Sequence, residues 1–444
     1  MSDASTEELP FHLKGNFAPV SEEVTVTDLE VTGTIPPELT GTYMRNGSNP
    51  KTGSSPHWFF GDGMIHGVRI EGGEAKWYRN RWVRTKKFVN DFDAASPETM
   101  MDPESSAANT HVVPHAGKIL ALEEGHFPYE VGPELETVRC QDYGGRLKSA
   151  FTAHPKVCPE TNELHFFGYS PVAPFLTYNV LDAQGDLAHS AEIEVPGGTM
   201  MHDFILTRTH AIFMDLPVVF NIEKAMAGGV PIYWDESYGA RIGVLPRFGA
   251  SQDVKWFEID PCYVFHAANA FDDGSKVVAD VGRHAYMWRD SMDDFAPSYL
   301  YRWTFDLETG EAKEEQLDDA PHGFPRVDDR VVGLPYRYAW AVGSRDDAEN
   351  DAIAGTVVRY DLAKGGSTVH DFGPDRHPGE FAFAEASPMA GEDEGWALGF
   401  VWDKPSNKSE LVILDGSRPA ADPVARIHLP VRVPFGFHGS WVKA

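Results

Sequence analysis

The chain is short of positive charge, of cysteine and of long apolar runs, and each shortage closes off a class of function. Only 38 of its 444 residues are Lys or Arg against 67 Asp or Glu, a formal net charge of −29. A surface of that sign repels phosphate backbones and anionic headgroups, which excludes nucleic acid as a natural partner and electrostatic attachment to a membrane. The three cysteines, Cys140, Cys158 and Cys262, are odd in number and far apart, so neither a disulfide framework nor a thiolate zinc site is indicated and a reducing compartment is expected. No apolar run approaches the ~20 residues of a spanning helix. Residues 1–10 lack the basic and apolar regions of a secretory signal, and a cytoplasmic location is expected.

Sustained helical periodicity is scarce too, with residues 91–107 and 222–227 the best candidates. What is abundant is punctuation: 41 Gly and 32 Pro separate short aromatic and β-branched segments. Lys118-Ile-Leu-Ala-Leu122, Leu164-His-Phe-Phe-Gly-Tyr169, Ala211-Ile-Phe-Met214, Lys276-Val-Val-Ala-Asp-Val281, Tyr338-Ala-Trp-Ala-Val342 and Trp396-Ala-Leu-Gly-Phe-Val-Trp402 all read as strands between turns. Many short strands at even spacing, with no composition break or linker, predict one radial all-β domain over residues 1–444, a β-propeller, in preference to two sandwiches. No strict repeat is visible, so the blade count is not readable from the residues.

Of 18 histidines, four stand at apolar strand ends beside small or carboxylate residues. These are His154 in Phe151-Thr-Ala-His-Pro-Lys156, His202 in Gly198-Thr-Met-Met-His-Asp-Phe204, His266 in Pro261-Cys-Tyr-Val-Phe-His-Ala-Ala-Asn-Ala270, and His438 in Phe435-Gly-Phe-His-Gly-Ser-Trp441. A ligand imidazole needs a dry, rigid mount and an acceptor for its other nitrogen. Each taken alone is more often a core imidazole bonded to a backbone carbonyl. Four imidazoles without thiolate or ligating carboxylate suit a borderline first-row metal, and favour a redox-active ion over hydrolytic zinc.

In chain order, Gly15-Asn-Phe-Ala-Pro-Val20, Gly41-Thr-Tyr-Met-Arg-Asn-Gly47, Gly61-Asp-Gly-Met-Ile-His66, Ala108-Asn-Thr110, Ala121-Leu-Glu-Glu124, Ala153-His-Pro-Lys156, Met201-His-Asp-Phe204, Phe265-His266 and Phe437-His-Gly-Ser-Trp441 resemble the carotenoid cleavage oxygenases almost end to end. That family also holds the retinal-pigment isomerase and the lignostilbene dioxygenases. The resemblance implies a seven-bladed β-propeller with a cap of loops and short helices, here about 85–110 and 222–250. It implies iron(II) held by His154, His202, His266 and His438, with Glu124 and Glu380 accepting ring N–H groups behind two of them. The third such carboxylate is missing: relatives carry Glu-Phe-Pro where this chain reads His322-Gly-Phe-Pro-Arg326, with Gly323 at the Glu position and Ala267 where a second histidine often follows the third ligand. His266 is the ligand expected to lose its carboxylate. His57, His66, His111, His115, His126, His165, His322 and His377 are read as non-ligands in polar turns or on alternating strands.

The implied reaction is O2-dependent cleavage of a conjugated C=C bond to two carbonyl products. An apolar conjugated substrate would lie against Trp58, Phe59, Phe60, Phe88, Glu123, Phe127, Tyr129, Phe175 and Phe204, reached at most by transient contact with a membrane. Lignostilbene-cleaving relatives place a Lys at the position of Glu123 to meet the substrate phenol, so a carotenoid or apocarotenoid is expected first and a stilbene or vinyl-phenol second. An isomerohydrolase and a non-enzymatic binding propeller are the remaining alternatives.

Overall fold

The computed structural model describes residues 9–444 except 94–95, 227–230, 293 and 344–354. Its strands form seven antiparallel blades around one axis. Blade two is His111–His115, Lys118–Leu122, Tyr129–Val131 and Thr137–Cys140; blade three is Lys156–Val157, Leu164–Tyr169, Leu176–Leu181 and Leu187–Glu192. Blade four is Ile205–Leu206, His210–Asp215, Arg241–Pro246 and Lys255–Glu258. Blade five is Tyr263–Asp273, Lys276–His284, Ser298–Asp306 and Ala312–Gln316, and blade six is His322–Arg326, Tyr338–Gly343, Thr356–Asp361 and Ser367–Asp371.

Blades one and seven close the ring with strands from both ends of the chain. Blade one runs Gly41–Ser48, Gly63–Glu71, Glu74–Trp82 and Thr25–Val26, and its innermost strand is the C-terminal Gly439–Lys443. In blade seven, Arg376–Pro378 and Ala382–Glu385 share one place against Gly395–Asp403; Lys408–Asp415 and Ala425–His428 follow, with the N-terminal Glu30–Gly33 outermost. First strands of neighbouring blades touch, as Tyr263–Asp273 touches both Ile205–Leu206 and His322–Arg326 and Gly439–Lys443 touches both His111–His115 and Ala382–Glu385, which places them around the axis.

Local sequence explains the strands. Hairpins turn at residues that accept positive φ, as at Asp273-Gly274 with φ +63°. Outer strands alternate, as Leu187–Glu192 does, because one face meets water, whereas Leu176–Leu181 is buried on both faces, Tyr178 and Val180 toward blade four and Leu181 toward blade two. Interblade packing is aromatic and aliphatic; Trp303, Phe305, Tyr263 and Ile242 are sealed together between blades four and five.

The helical segments are shorter than the sequence suggests. Within 91–107 only Pro97–Met101 is helical, preceded by Lys86–Asn90, and residues 94–95 lie outside the described residues. Ile222–Met226 is a helix, but the expected cap 222–250 is too long: Arg241–Pro246 is a strand of blade four, paired along its length with His210–Asp215. Residues 227–230 of that cap are likewise outside the described residues. The hydrophobic alternation of Arg241–Pro246, with Ile242 and Val244 inward, is what makes that segment a strand.

Closure rests on Trp441, buried in the cluster shared by blades one and seven and packed so closely on Gly41 that a Cβ there would lie 2.7 Å from the indole. Trp441→Ala is expected to cost about 3–5 kcal/mol, read as a lower urea midpoint with an unchanged slope.

Candidate metal centre and its cavity

Four imidazoles meet where the first strands of blades three, four, five and one begin. His154 precedes Lys156–Val157, His202 precedes Ile205–Leu206, His266 lies near the start of Tyr263–Asp273, and His438 precedes Gly439–Lys443. Their nearest ring nitrogens lie within 4.8 Å of one another, with Nε2···Nε2 separations of 3.0 Å (His154 and His202), 3.3 Å (His202 and His266) and 3.1 Å (His266 and His438). Nitrogens bound at ~2.1 Å to one first-row ion stand about 3.0–3.4 Å apart, so the spacing fits a shared ion.

The backbone carrying them is tied together. The Asp203 carboxylate accepts from Lys156 Nζ at 2.7 Å and from the Ala267 amide at 2.9 Å, joining residues next to three of the histidines. The Thr152 hydroxyl accepts from the His154 amide at 3.1 Å, and the Thr110 carbonyl accepts from the His438 amide at 3.0 Å.

Two imidazoles are backed by carboxylates. His438 Nδ1 donates to Glu380 Oε1 at 2.8 Å, and His202 Nδ1 contacts Glu124 Oε1. The other Glu124 oxygen accepts from Tyr169 Oη at 2.7 Å. Glu380 Oε2 accepts from the Gly439 amide at 2.8 Å and from Arg326 at 3.1 Å. Burial would raise the Glu380 carboxyl, but Arg326 and His438 hold it down at about 2. It is therefore an anion, and a carboxylate can only accept.

That fixes the electronics of the ring. A neutral imidazole whose Nδ1 carries the proton presents a lone pair at Nε2. Burial, reinforced by the neighbouring imidazoles, pushes His154 and His266 well below the usual histidine range; burial also lowers His438, against the pull of Glu380. Lone pairs converging at about 3 Å repel unless a cation lies between them. The donor set fits a metal ion, and it is all nitrogen.

His266 is held differently. Among the described residues, no carboxylate forms an ion pair with it, and Gly323 stands in open space with nothing within 4 Å of where its Cβ would be. In place of an acceptor, the ring of Phe324 stacks on His266, centroids 5.1 Å apart and planes 26° apart, and also touches His438 at 5.3 Å. Phe324 has φ +53°, a conformation that costs a non-glycine residue about 1–2 kcal/mol, and the strand bulges between Gly323 and Arg326.

His202, His266 and His438 open onto a cavity of 1580 Å³, while His154 lies behind them. Trp58, Phe59, Phe60 and Glu123 line it as expected. Phe88, Phe127, Tyr129, Phe175 and Phe204 do not. Phe88 is buried beside Trp82, Phe127 packs between blades two and three, and the Tyr129 hydroxyl is spent on the Lys86 amide and the Glu104 carbonyl. Phe175 abuts Gly198, and Phe204 stacks on Phe213 between blades three and four. Wall residues the sequence did not single out include Met100, Tyr169, Trp288 and Phe437. Most histidines read as non-ligands lie on strands, as one of the two expected placements had it, but are buried there: His66 bonds Tyr78, His165 bonds Tyr178, and His111 Nδ1 donates to the Ala153 carbonyl.

The asymmetry among the imidazoles is testable. Glu380→Gln is expected to weaken metal binding about 10–100-fold, and Gly323→Glu, for which there is room, to strengthen it about tenfold, both measured by competition with a chelator.

A family model described as retinal pigment epithelial membrane protein matches residues 17–443. The chain is 38% identical to a carotenoid cleavage oxygenase of Mycobacterium tuberculosis and 34% identical to an isoeugenol monooxygenase of Pseudomonas nitroreducens, in each case over 97% of both chains. Its backbone superposes on a lignostilbene dioxygenase of Pseudomonas brassicacearum with a TM-score of 0.90 at 29% identity, covering 98% of this chain and all of the other. The chain belongs to the carotenoid cleavage oxygenases, the family of the retinal pigment epithelial membrane protein.

Proposed function

We propose that this protein uses iron(II) and O2 to cleave a conjugated C=C bond of a carotenoid or apocarotenoid into two carbonyl products. The observation that carries this reading is the convergence of four imidazoles, three of them at the wall of a large apolar cavity. At 1580 Å³ the cavity exceeds the ~300–1,000 Å³ of ordinary ligand pockets, which suits an elongated polyene. The similarity to a carotenoid cleavage oxygenase supports the same class of substrate.

His154, His202, His266 and His438 would hold the iron, and a bound iron(II) supplies the redox chemistry that activates O2. The chain's own contribution is placement. Glu124 and Glu380 keep the Nδ1 protons of His202 and His438, so that both rings present Nε2 as donors to a metal. Trp58, Phe59, Trp288 and Phe437 give the alkene an apolar seat and keep bulk water off the reacting bond. Addition of both O2 atoms across one C=C bond yields two carbonyls with no proton gained or lost, so the reaction asks no general acid or base of these walls. The acidic surface and three free cysteines support a cytoplasmic setting, and among the described residues no helix is long and apolar enough to cross a membrane.

A stilbene or vinyl-phenol is the second reading, favoured by the likeness to the isoeugenol and lignostilbene enzymes and by a polar couple in the cavity wall. Glu123 contacts His126 Nδ1 and accepts from the Gly125 amide at 3.0 Å. Burial would raise its carboxyl, but His126 beside it brings the balance below the ordinary value. An anion fixed there accepts a hydrogen bond from a neutral phenol, which is what favours this reading, but repels a phenolate.

The test is anaerobic iron loading followed by O2 uptake and product masses with apocarotenals and hydroxystilbenes. Uptake of one O2 per alkene cleaved is expected; turnover without uptake would turn the reading into an isomerase. His266→Ala is expected to lose iron retention, and a variant that kept both iron and activity would remove it from the ligand set. Glu123→Lys is expected to raise phenolic turnover about tenfold or more, the worth of one charge-assisted hydrogen bond.

A further inference from the structure

One corner of the cavity is polar and has no part in holding the four imidazoles. It lies between blades five and six, where His284, Ser298 and His322 line the wall beside Gly282. His322 is 1% exposed, and both its ring nitrogens are buried without a hydrogen-bond partner among the described residues. Leaving a buried polar atom unpaired costs about 1–3 kcal/mol. An apolar side chain packed against Tyr360, whose ring meets His322 edge-on at 5.6 Å, would avoid that cost. The imidazole is the expensive choice at this place.

Ser298 and His322 converge at Gly282: a Cβ there would lie 2.7 Å from Ser298 Oγ, 3.3 Å from the His266 carbonyl oxygen and 3.6 Å from His322 Cε1, so only glycine fits where these groups meet. Gly323, next to His322, also borders the cavity and adds no bulk. The corner also offers hydrogen-bonding groups of both kinds. His284 Nδ1 donates to the Ala296 carbonyl at 2.7 Å, which can only accept, so the neutral ring presents Nε2 as an acceptor. Neutral His322 carries one N–H donor and one acceptor, and Ser298 a hydroxyl. Burial holds both imidazoles neutral, His284 and His322 each lowered to about 4.

We propose that His284, Ser298 and His322 form a subsite that binds a hydroxyl group at one end of the polyene substrate. A hydroxyl both donates and accepts, and this corner supplies a partner for each. The inference rests on the alkene-cleaving reading for its substrate class. It makes His322 a specificity residue: a hydrocarbon end leaves the buried nitrogens unpaired, whereas a hydroxylated end satisfies them.

The iron-loaded enzyme would be assayed for kcat/KM, and under nitrogen for Kd, with two apocarotenoids that differ only in a terminal-ring hydroxyl. Wild type is expected to prefer the hydroxylated member about tenfold. His322→Leu is expected to collapse that ratio to near one, with iron content and a melting temperature no lower than wild type. Gly282→Ala, which fills the corner without removing a polar group, is expected to lower the ratio as well and keeps the test open should His322→Leu fail to fold. Equal affinities in wild type, a preference that survives both variants, or an equal loss on both ligands would overturn the subsite. If wild type turns over neither compound, the cleavage reading fails, and the anaerobic Kd ratio still decides whether the corner recognises a hydroxyl.

Discussion

The structure is built around four nitrogen lone pairs that have no reason to approach one another without a cation between them. Each comes from the start of an axial strand, and no two come from the same blade. The last, His438, arrives only when the C-terminal Gly439–Lys443 strand completes blade one, beside Gly41–Ser48 near the other end of the chain. Ring closure and assembly of the centre are thus the same event. Metal binding draws its free energy from a geometry that the unfolded chain does not possess, so a bound ion stabilises the closed ring. The Asp203 carboxylate, bonded to Lys156 and to the Ala267 amide, and the hydrogen bond from the His438 amide to Thr110 are the stitches that hold neighbouring blades in register at that point.

Support behind the imidazoles is unequal, and the inequality has a physical form. Glu380 sits in a closed network with Arg326, the Gly439 amide and His438, which fixes both its charge and its direction. Glu124 is steadied by Tyr169, whose ring also borders the cavity, so this carboxylate links the metal side to the substrate side. His266 has a ring stacked on it instead of an anion behind it. Stacking fixes the plane of an imidazole but neither chooses its tautomer nor raises the basicity of its Nε2, as a carboxylate would. The chain trades electronic tuning for room: the same Gly323 that withholds the carboxylate leaves open space beside His322.

The strands were legible because turns announce themselves. The segments around Lys118, Leu164, Ala211, Lys276, Tyr338 and Trp396 all fall within strands of the blades. The number of blades was not legible from the residues. Blade seven fills one strand position with two short pieces, and blades one and seven borrow strands from opposite chain ends, so no single repeat length exists. The four histidines stood out by their place at apolar strand ends, while their role as a ligand set and the choice of Glu124 and Glu380 came from the resemblance to a family, since the spacing gave no local motif. Burial of the other histidines was misread for a reason peculiar to propellers. A blade is covered on both faces by its neighbours, so alternation does not mean that every second residue meets water. His66 and His165 are bonded to the hydroxyls of Tyr78 and Tyr178 in the same diagonal cross-strand arrangement, a repeated device in which histidine and tyrosine stand 12 and 13 residues apart.

Aromatic residues posed the complementary problem. Phe59 and Phe204 are the same residue type at comparable apolar positions, yet one faces the cavity and the other is sealed between blades three and four. What separates them is which element they ride on. Phe59 belongs to a single turn at Trp58–Phe60 with no strand partner, free to present its ring to the void, whereas Phe204 directly precedes an axial strand whose two neighbours claim every side chain. A propeller core absorbs aromatics wherever blades meet, and those offered to a ligand ride on the loops over the axis or near strand ends, as Tyr169 and Phe324 do. Substrate choice in such a fold is therefore carried by the top loops and by the few axial positions where a side chain is withheld. Gly323, on the first strand of blade six, is such a position, and Gly282, on the second strand of blade five, flanks His322 from the neighbouring blade.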